Sequence, residues 1–306
     1  MKKIFLTGSS GFVRSFFLRN LVNSGNYSVA VLVRNPMESW RILDLLPKVK
    51  IIEGDLDNLF YVESELVKFK PDTFVHLAWN GVLGNFRNNP SQWRNVNVTA
   101  ELVEMAHRLK VKVWVGIGSQ AEYGPCENKI NECCATIPTT LYGVSKLSAQ
   151  LISEKLCREF EIRYCWLRLF SSFGPTDSPE WLIPYLILSL KKKEKPKLTL
   201  AEQMWDYIYI EDVASAIKAV IESNSADGVF NLGSGKSYKL RTIIEKIRDL
   251  IDPNIFLEFG EVSYRPDQVM YLEADITKLK KIGWQPKFDI NMAIPKTVEW
   301  YLKENL

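Results

Sequence analysis

Residues 3–33 leave few folds open. Lys3-Ile4-Phe5-Leu6-Thr7 is a short apolar run, and Gly8-Ser9-Ser10-Gly11-Phe12 turns it into a helical pattern carrying Phe16, Phe17 and Leu21. Val29-Ala30-Val31-Leu32-Val33 is a second apolar run. Short apolar runs bounded by glycine read as buried strands. A glycine turn between strand and helix lets backbone N–H groups and a helix N-terminus meet a pyrophosphate. A tight turn with no ligand satisfies the same pattern. The usual spacing asks for a third glycine where this chain has Arg14. Arg14 must either swing outward or lie against the phosphates. The second is expected, because a helix N-terminus already attracts anions and a guanidinium pairs with phosphate oxygens bidentately.

Arg34 ends the second run, where an acidic residue would bind a ribose 2′-hydroxyl. An arginine there suits a 2′-phosphate and favours NADP(H), with NAD(H) the second candidate; a plain surface arginine is the alternative. Ile51 to Leu56, Thr73 to Ala78 and Lys112 to Ile117 continue the strands, separated by helical segments. Strands alternating with helices predict an α/β chain with a Rossmann-like, doubly wound parallel sheet. His76 and His107 have no partner pattern and read as structural.

The last of these strands delivers Ser119, followed by Gln120-Ala121-Glu122-Tyr123-Gly124 and, after a polar loop, Tyr142-Gly143-Val144-Ser145-Lys146. A Tyr and a Lys four apart share one helix face, so an ammonium near the phenol favours phenolate. A phenol so placed exchanges protons near neutral pH. With a hydroxyl opposite, the set suits hydride transfer at a carbonyl carbon beside a nicotinamide. Ordinary exposed helix faces produce the same spacing, so the motif carries weight only in company.

Composition narrows the company. The chain has 306 residues, 46% hydrophobic and 25% charged, with a net charge of +3, as expected of a globular protein of one large unit or two domains. Basic and acidic residues interleave, which excludes a nucleic-acid footprint; Lys191-Lys192-Lys193-Glu194-Lys195 reads as a solvated helix end. No apolar run approaches the ~20 residues of a membrane span, and the N-terminal basic pair is not followed by a signal-peptide pattern. Five cysteines without metal-ligand spacing predict reduced thiols, no metal site and a cytoplasmic location.

These motifs together resemble the extended short-chain dehydrogenase/reductases of the NAD-dependent epimerase/dehydratase family, which act on nucleotide sugars. The resemblance spans nearly the whole chain. It rests on Thr7-Gly8-x-x-Gly11-Phe12, Gly54-Asp55-Leu56, His76-Leu77-Ala78, Ser119 to Gly124 and Tyr142-x-x-x-Lys146. It continues through Arg168 to Pro175, Asp206 to Asp212, Phe230 to Gly233, Arg265-Pro266-Asp267 and Gly283-Trp284-x-Pro286. The resemblance implies a catalytic triad of Ser119, Tyr142 and Lys146, with Lys146 also holding the nicotinamide ribose. It implies a cofactor site of Thr7, Gly8, Ser10, Gly11, Phe12, Arg14, Arg34, Asp55, Leu56, Leu77 and Ala78, shared with Tyr142 and Lys146. Arg265 matches an arginine for the substrate pyrophosphate. Residues 1–170, with about 206–233, would form the dinucleotide-binding domain; 171–205 and 234–306 would form a smaller α/β substrate domain. Tyr207 to Ile210 and Val229 to Leu232 would return to the sheet.

Departures from the family pattern narrow the reaction. Members that eliminate water carry an Asp-Glu pair directly after the hydroxyl residue, as acid and base; Gln120 and Ala121 stand there instead. Glu122 either contacts a sugar hydroxyl or is satisfied within its loop. Ser171 replaces a frequent asparagine and Trp205 a basic residue. Trp79 and Asn80 follow the His-Leu-Ala strand and are sugar-contact candidates, with a core role the alternative for Trp79. The expected substrate set is Trp79, Asn80, Ser119, Gln120, Glu122, Ser171 and Arg265. Ile183-Pro184-Tyr185, Leu198 to Tyr209, and Phe256 to Pro286 resemble reductases of CDP- or dTDP-linked 4-keto-6-deoxyhexoses, of the abequose and fucose type. The expectation is therefore NADPH-dependent reduction of a C4 keto group in deoxysugar biosynthesis. The substrate would be a CDP-, dTDP-, GDP- or UDP-linked sugar and the protein a homodimer. A 4-epimerase with tightly bound NAD would use the same triad. A non-catalytic dinucleotide-binding protein, drawn from Arg14, is the reading outside enzymology.

Overall fold

Alternation along the first strand sets the two faces of the sheet. The computed structural model describes residues 1–8, 11–265 and 268–304, apart from the side chain of Asn85. In β1 (Lys2–Thr7), Ile4 and Leu6 join one buried cluster and Phe5 the other, as a side-chain period of two requires. Helix α1 (Phe12–Ser24) lays Phe17, Leu18 and Leu21 on the Ile4 side. Strands β2 (Tyr27–Val33) and β3 (Lys50–Glu53) follow, then α2 (Leu59–Phe69), which lays Val62 and Leu66 on the Phe5 side. After β4 (Thr73–His76), α3 (Trp93–Arg108) adds Leu102 and Met105 to that side; after β5 (Val113–Ser119), α4 (Leu141–Glu159) adds Ala149 and Cys157. Strand β6 (Arg163–Leu169) ends this half.

The rest of the chain is shorter-stranded. It runs β7 (Ser171–Phe173), α5 (Leu182–Lys191), β8 (Met204–Trp205), β9 (Tyr207–Tyr209), α6 (Ile210–Glu222) and β10 (Gly228–Leu232). Then come β11 (Tyr238–Lys239), α7 (Leu240–Ile251), β12 (Tyr271–Leu272), α8 (Thr277–Lys281) and α9 (Ile290–Lys303). Seven strands form one sheet in the order β10-β6-β5-β4-β1-β2-β3, every pair parallel. With helices on both faces this is the expected Rossmann-like, doubly wound arrangement. The chain leaves β1 toward β2 and β3 and then crosses to β4, so the sheet order reverses between β1 and β4. Ligands bind open α/β sheets in the crevice at such a reversal.

Val229 to Leu232 return to the sheet as expected, against Trp166 to Leu169. Tyr207 to Tyr209 do not. They pair with β7 in a separate two-stranded sheet, while β8 lies between β11 and β12 in a three-stranded one. The edge of β6 is already taken by β10, and α6 begins at Ile210, so β9 has no place in the main sheet. Buried Asp206 locks the corner before it, accepting from Ser234 N at 2.8 Å and from Gly235 N and Ala274 N at 3.0 Å each. No described helix is long and apolar enough to cross a membrane, and no described cluster of His, Cys, Asp and Glu has the makings of a metal site.

Candidate active site

Three strand ends deliver the polar groups. At the end of β1 the buried Thr7 hydroxyl bonds His76 Nδ1 at 2.8 Å and accepts from Ala78 N at 3.4 Å. Thr99 holds the other ring nitrogen of His76 at 3.3 Å. Burial, reinforced by Lys146 and Arg14, pulls the imidazole down to about 3, so His76 is a neutral pin between β1, β4 and α3. Thr7, expected beside the cofactor, spends its hydroxyl on this pin.

At the end of β5 the chain turns on a reciprocal cap. Ser119 Oγ accepts from Ala121 N at 3.2 Å, and Ser119 N donates to Glu122 Oε1 at 2.8 Å. The same Oε1 accepts from Trp166 Nε1 at 3.0 Å, and Oε2 accepts from Arg168 Nε at 2.7 Å. Glu122 is 0% exposed and lies outside the cleft lining. It is thus a satisfied loop carboxylate and not the sugar contact entertained from the sequence. Two glycines make this possible: a Cβ on Gly116 or Gly118 would run into the Trp166 indole.

Helix α4 starts beside that turn, capped by Thr140 Oγ1, which accepts from Gly143 N at 3.1 Å. Tyr142 is in its first turn and faces the same cleft as Ser119, near enough for the Ser119 hydroxyl to act on its phenol, so the two hydroxyls expected to flank a carbonyl oxygen share one wall. Burial pushes the Tyr142 phenol up, against the Ser119 hydroxyl and the Arg87 guanidinium, which hold it down. Arg87 lies 4.6 Å from the centre of the Tyr142 ring. Lys146 is buried one turn on, donates to Ile117 O at 2.7 Å, and sits 3.7 Å from the Trp79 ring centre but 5.9 Å from that of Tyr142. Burial, opposed by the Glu122 carboxylate and reinforced by Arg14, pulls its ammonium down to about 7. Trp79 in turn meets Tyr142 edge-on at 6.1 Å, and its Nε1 donates to Gln92 Oε1 at 2.9 Å.

These groups open on a cleft of about 1050 Å³. Phe12, Arg14, Leu77, Trp79, Ser119, Gln120, Tyr142, Lys146, Ser171 and Arg265 all line it. Ser171 Oγ accepts from Trp205 Nε1 at 2.6 Å, so the two residues that depart from the family pattern hold each other at the wall. Asn80 is exposed and off the cleft, its backbone clasped by Asn95 at 2.9 and 3.1 Å. The structure therefore does not bring Asn80 together with the other expected sugar contacts. Arg34 and Asp55 sit past the ends of β2 and β3, 3.9 Å apart, with Arg34 77% exposed. Leu56 beside them is half-buried. Ser10 lies outside the described residues. The lining also includes residues the sequence reading passed over: Arg41, Arg87, Lys197, Gln203 and Asp177. Burial pushes the Asp177 carboxyl up to about 7, with the Ser178 N–H and Arg41 opposing. No periodic pattern marks these loop residues. Six basic side chains line the cleft against the single carboxylate of Asp177 among the described residues.

A model of the NAD dependent epimerase/dehydratase family matches residues 4–233. The chain belongs to this family. It is an extended short-chain dehydrogenase/reductase, as its motifs indicated. Among curated relatives it is 26% identical over 321 residues to a trifunctional UDP-glucose 4,6-dehydratase/UDP-4-keto-6-deoxy-D-glucose 3,5-epimerase/UDP-4-keto-L-rhamnose-reductase of Arabidopsis thaliana. That match covers 98% of this chain and 47% of the relative, so the chain spans about half its length. It is 27% identical over 299 residues to CDP-abequose synthase of Salmonella muenchen, covering 96% of both. Among solved structures it is similar to a UDP-N-acetylglucosamine 4-epimerase from Methanobrevibacter ruminantium M1 in complex with UDP-N-acetylmuramic acid, with TM-score 0.87, 25% identity and 98% of each chain covered.

Proposed function

We propose that the protein reduces the C4 keto group of a nucleotide-linked 4-keto-6-deoxy sugar, using NADPH. The observation that carries this reading is that the Ser119 and Tyr142 hydroxyls share a cleft lined by six basic side chains and, among the described residues, one carboxylate. The cation excess suits two pyrophosphates, one from the dinucleotide and one from the nucleotide sugar. Elimination of water needs a carboxyl acid and base beside the sugar; Gln120 and Ala121 line the wall there, and Glu122 is turned inward.

The chain's residues divide the work as follows. Ser119 donates to the substrate carbonyl oxygen and polarises it. Tyr142 would give that oxygen its proton; a dinucleotide held in the cleft would supply hydride chemistry at the carbon. Arg87, over the ring, stabilises the phenolate left behind. Lys146, placed beside Ile117 O, would hold the nicotinamide ribose hydroxyls. Arg34 and Asp55 take the adenosine end, with Arg34 on the 2′-phosphate, while Gly8, Gly11 and Phe12 border the dinucleotide phosphates. Residues 171–205 and 234–306 supply the nucleotide-sugar end through Ser171 and Arg265. A second copy of the chain completes a cytoplasmic homodimer.

The likeness to a 4-epimerase over 98% of each chain favours a second reading, with NAD kept bound and one carbon oxidised and reduced again. One experiment separates the two. The protein is incubated with NADPH and a panel of CDP-, dTDP-, GDP- and UDP-4-keto-6-deoxy sugars while reduced-nicotinamide absorbance is followed, and in parallel, without added cofactor, with the corresponding 4-hydroxy nucleotide sugars. Loss of absorbance with a keto-sugar supports the reductase. Interconversion of C4 epimers with nicotinamide retained through gel filtration supports the epimerase, and inertness toward every sugar overturns both.

A further inference from the structure

Gly8 has a left-handed φ of 74° and Gly11 caps α1, and the space above both is taken by one side chain. A Cβ built on Gly8 would lie 2.8 Å from Arg14 Cδ; one built on Gly11 would lie 2.9 Å from Arg14 Cζ and 3.0 Å from its Nε. The glycines therefore leave room first for Arg14. Its guanidinium turns into the cleft, where Nη1 donates to Gly8 O at 3.0 Å.

Among the described residues Arg14 has no carboxylate partner. The cations that bear on it are Arg34, Arg41 and Lys146, and the Tyr142 phenol lies near. Burial, then those two arginines, bring it down to about 10. Arg41 is itself held away from it, donating twice to Thr176 O at 3.0 and 2.8 Å. A partly buried cation among cations is unfavourable for the folded chain alone. An anion in the cleft would reverse that. The position says which anion: Arg14 lies over the glycine turn between β1 and α1, where Tyr142 and Lys146 feel its charge. A dinucleotide carries its pyrophosphate midway between adenosine and nicotinamide.

We propose that Arg14 is the counter-ion of the dinucleotide pyrophosphate, resting on Gly8 O in the empty cleft and transferring to the phosphate oxygens when the dinucleotide enters. The proposal rests on the dinucleotide part of the reading above and is independent of the sugar. It also accounts for the missing third glycine: the phosphates meet a guanidinium in place of a close backbone approach. Contact through one salt-screened charge suits a co-substrate that exchanges at every turnover.

The test is calorimetric binding of NADPH and NADH to the full chain, as wild type, Arg14→Gly, Arg14→Met and Arg34→Ala, over a series of salt concentrations. Both Arg14 variants should lose about tenfold to a hundredfold in affinity for both cofactors, the size of a charge-assisted hydrogen bond. Their salt dependence should flatten, since a screened charge pair has been removed. Arg34→Ala should weaken NADPH alone. Arg14→Met keeps the stem's packing, so a loss confined to Arg14→Gly would be a packing effect and would overturn the proposal. Equal or tighter binding in both variants would make the arginine an obstruction and overturn it too, as would wild-type protein that binds neither cofactor. Dinucleotide binding that follows this pattern without turnover of any keto-sugar would sink the reductase reading and leave the role of Arg14 standing.

Discussion

The turn after β5 holds a carboxylate among three donors, whereas the turn after β1 holds a guanidinium against a single carbonyl. Both leave the same edge of the same sheet, and both charges are largely withdrawn from water. Glu122 has Ser119 N, Trp166 Nε1 and Arg168 Nε around it and carries no vacancy for a ligand. Arg14 has Arg34, Arg41 and Lys146 for charged neighbours. A buried charge whose partners are complete belongs to the architecture. One whose partners are missing marks where something else must come. By that criterion the β5 turn is a rigid mount for Ser119, and the β1 turn is a receptor.

The largest effect should come from the mount's working end. Tyr142→Phe removes the proton donor, keeps the ring against Trp79 and leaves Ser119 fixed by Ala121 N. Turnover should fall by roughly two to four orders of magnitude with cofactor affinity retained; near-normal turnover would remove Tyr142 from the mechanism. Next comes the mount itself. Glu122→Ala strands Arg168 in the interior and should cost about 3–5 kcal/mol of stability, read by denaturant unfolding. A stable Glu122→Ala protein would mean that the two turns do not differ as described.

The receptor side should show smaller, ligand-specific effects. Arg34 is exposed and pairs only loosely with Asp55, a kind of contact that holds weakly. Arg34→Ala should therefore lower NADPH affinity about 10- to 150-fold and leave NADH nearly unchanged; equal losses would withdraw the 2′-phosphate assignment. Smallest of all, Arg14→Met should leave unfolding free energy unchanged or slightly raised, since it removes a half-buried cation that has only cations for charged neighbours. A loss on the scale of Glu122→Ala would make Arg14 architecture after all.

What the sequence makes legible is local. The apolar runs and the glycine turn fix β1, α1 and β2, because strand and helix periods are written in neighbouring residues. The spacing of Tyr142 and Lys146 likewise survives as a shared helix face. The fate of Glu122 is not legible, since it depends on Trp166 and Arg168, more than forty residues away along β6. The place of Asn80 off the cleft is not legible for the same reason, since Asn95, which clasps its backbone, belongs to another element. Lys146 was expected to be the cation tuning Tyr142, yet Arg87 lies over that ring from a loop with no periodicity to announce it. Tyr207 to Tyr209 look like a sheet strand in isolation; that β10 would fill the edge first is a property of the whole chain.

The place of β10 also sets a clock on the protein's making. Strand β6 ends at Leu169 and its outer neighbour ends at Leu232, 232 − 169 = 63 residues later. At a ribosome's pace of roughly 5–20 residues per second, the nascent chain exposes an apolar, unpaired edge for about 3–13 seconds. Asn231 in that late strand donates to Ile130 O at 2.9 Å and accepts from the Tyr123 hydroxyl at 2.6 Å, clamping the loop that leads from Ser119 to Tyr142. The loop from Ser119 to Tyr142 is thus fastened only after synthesis has passed Asn231.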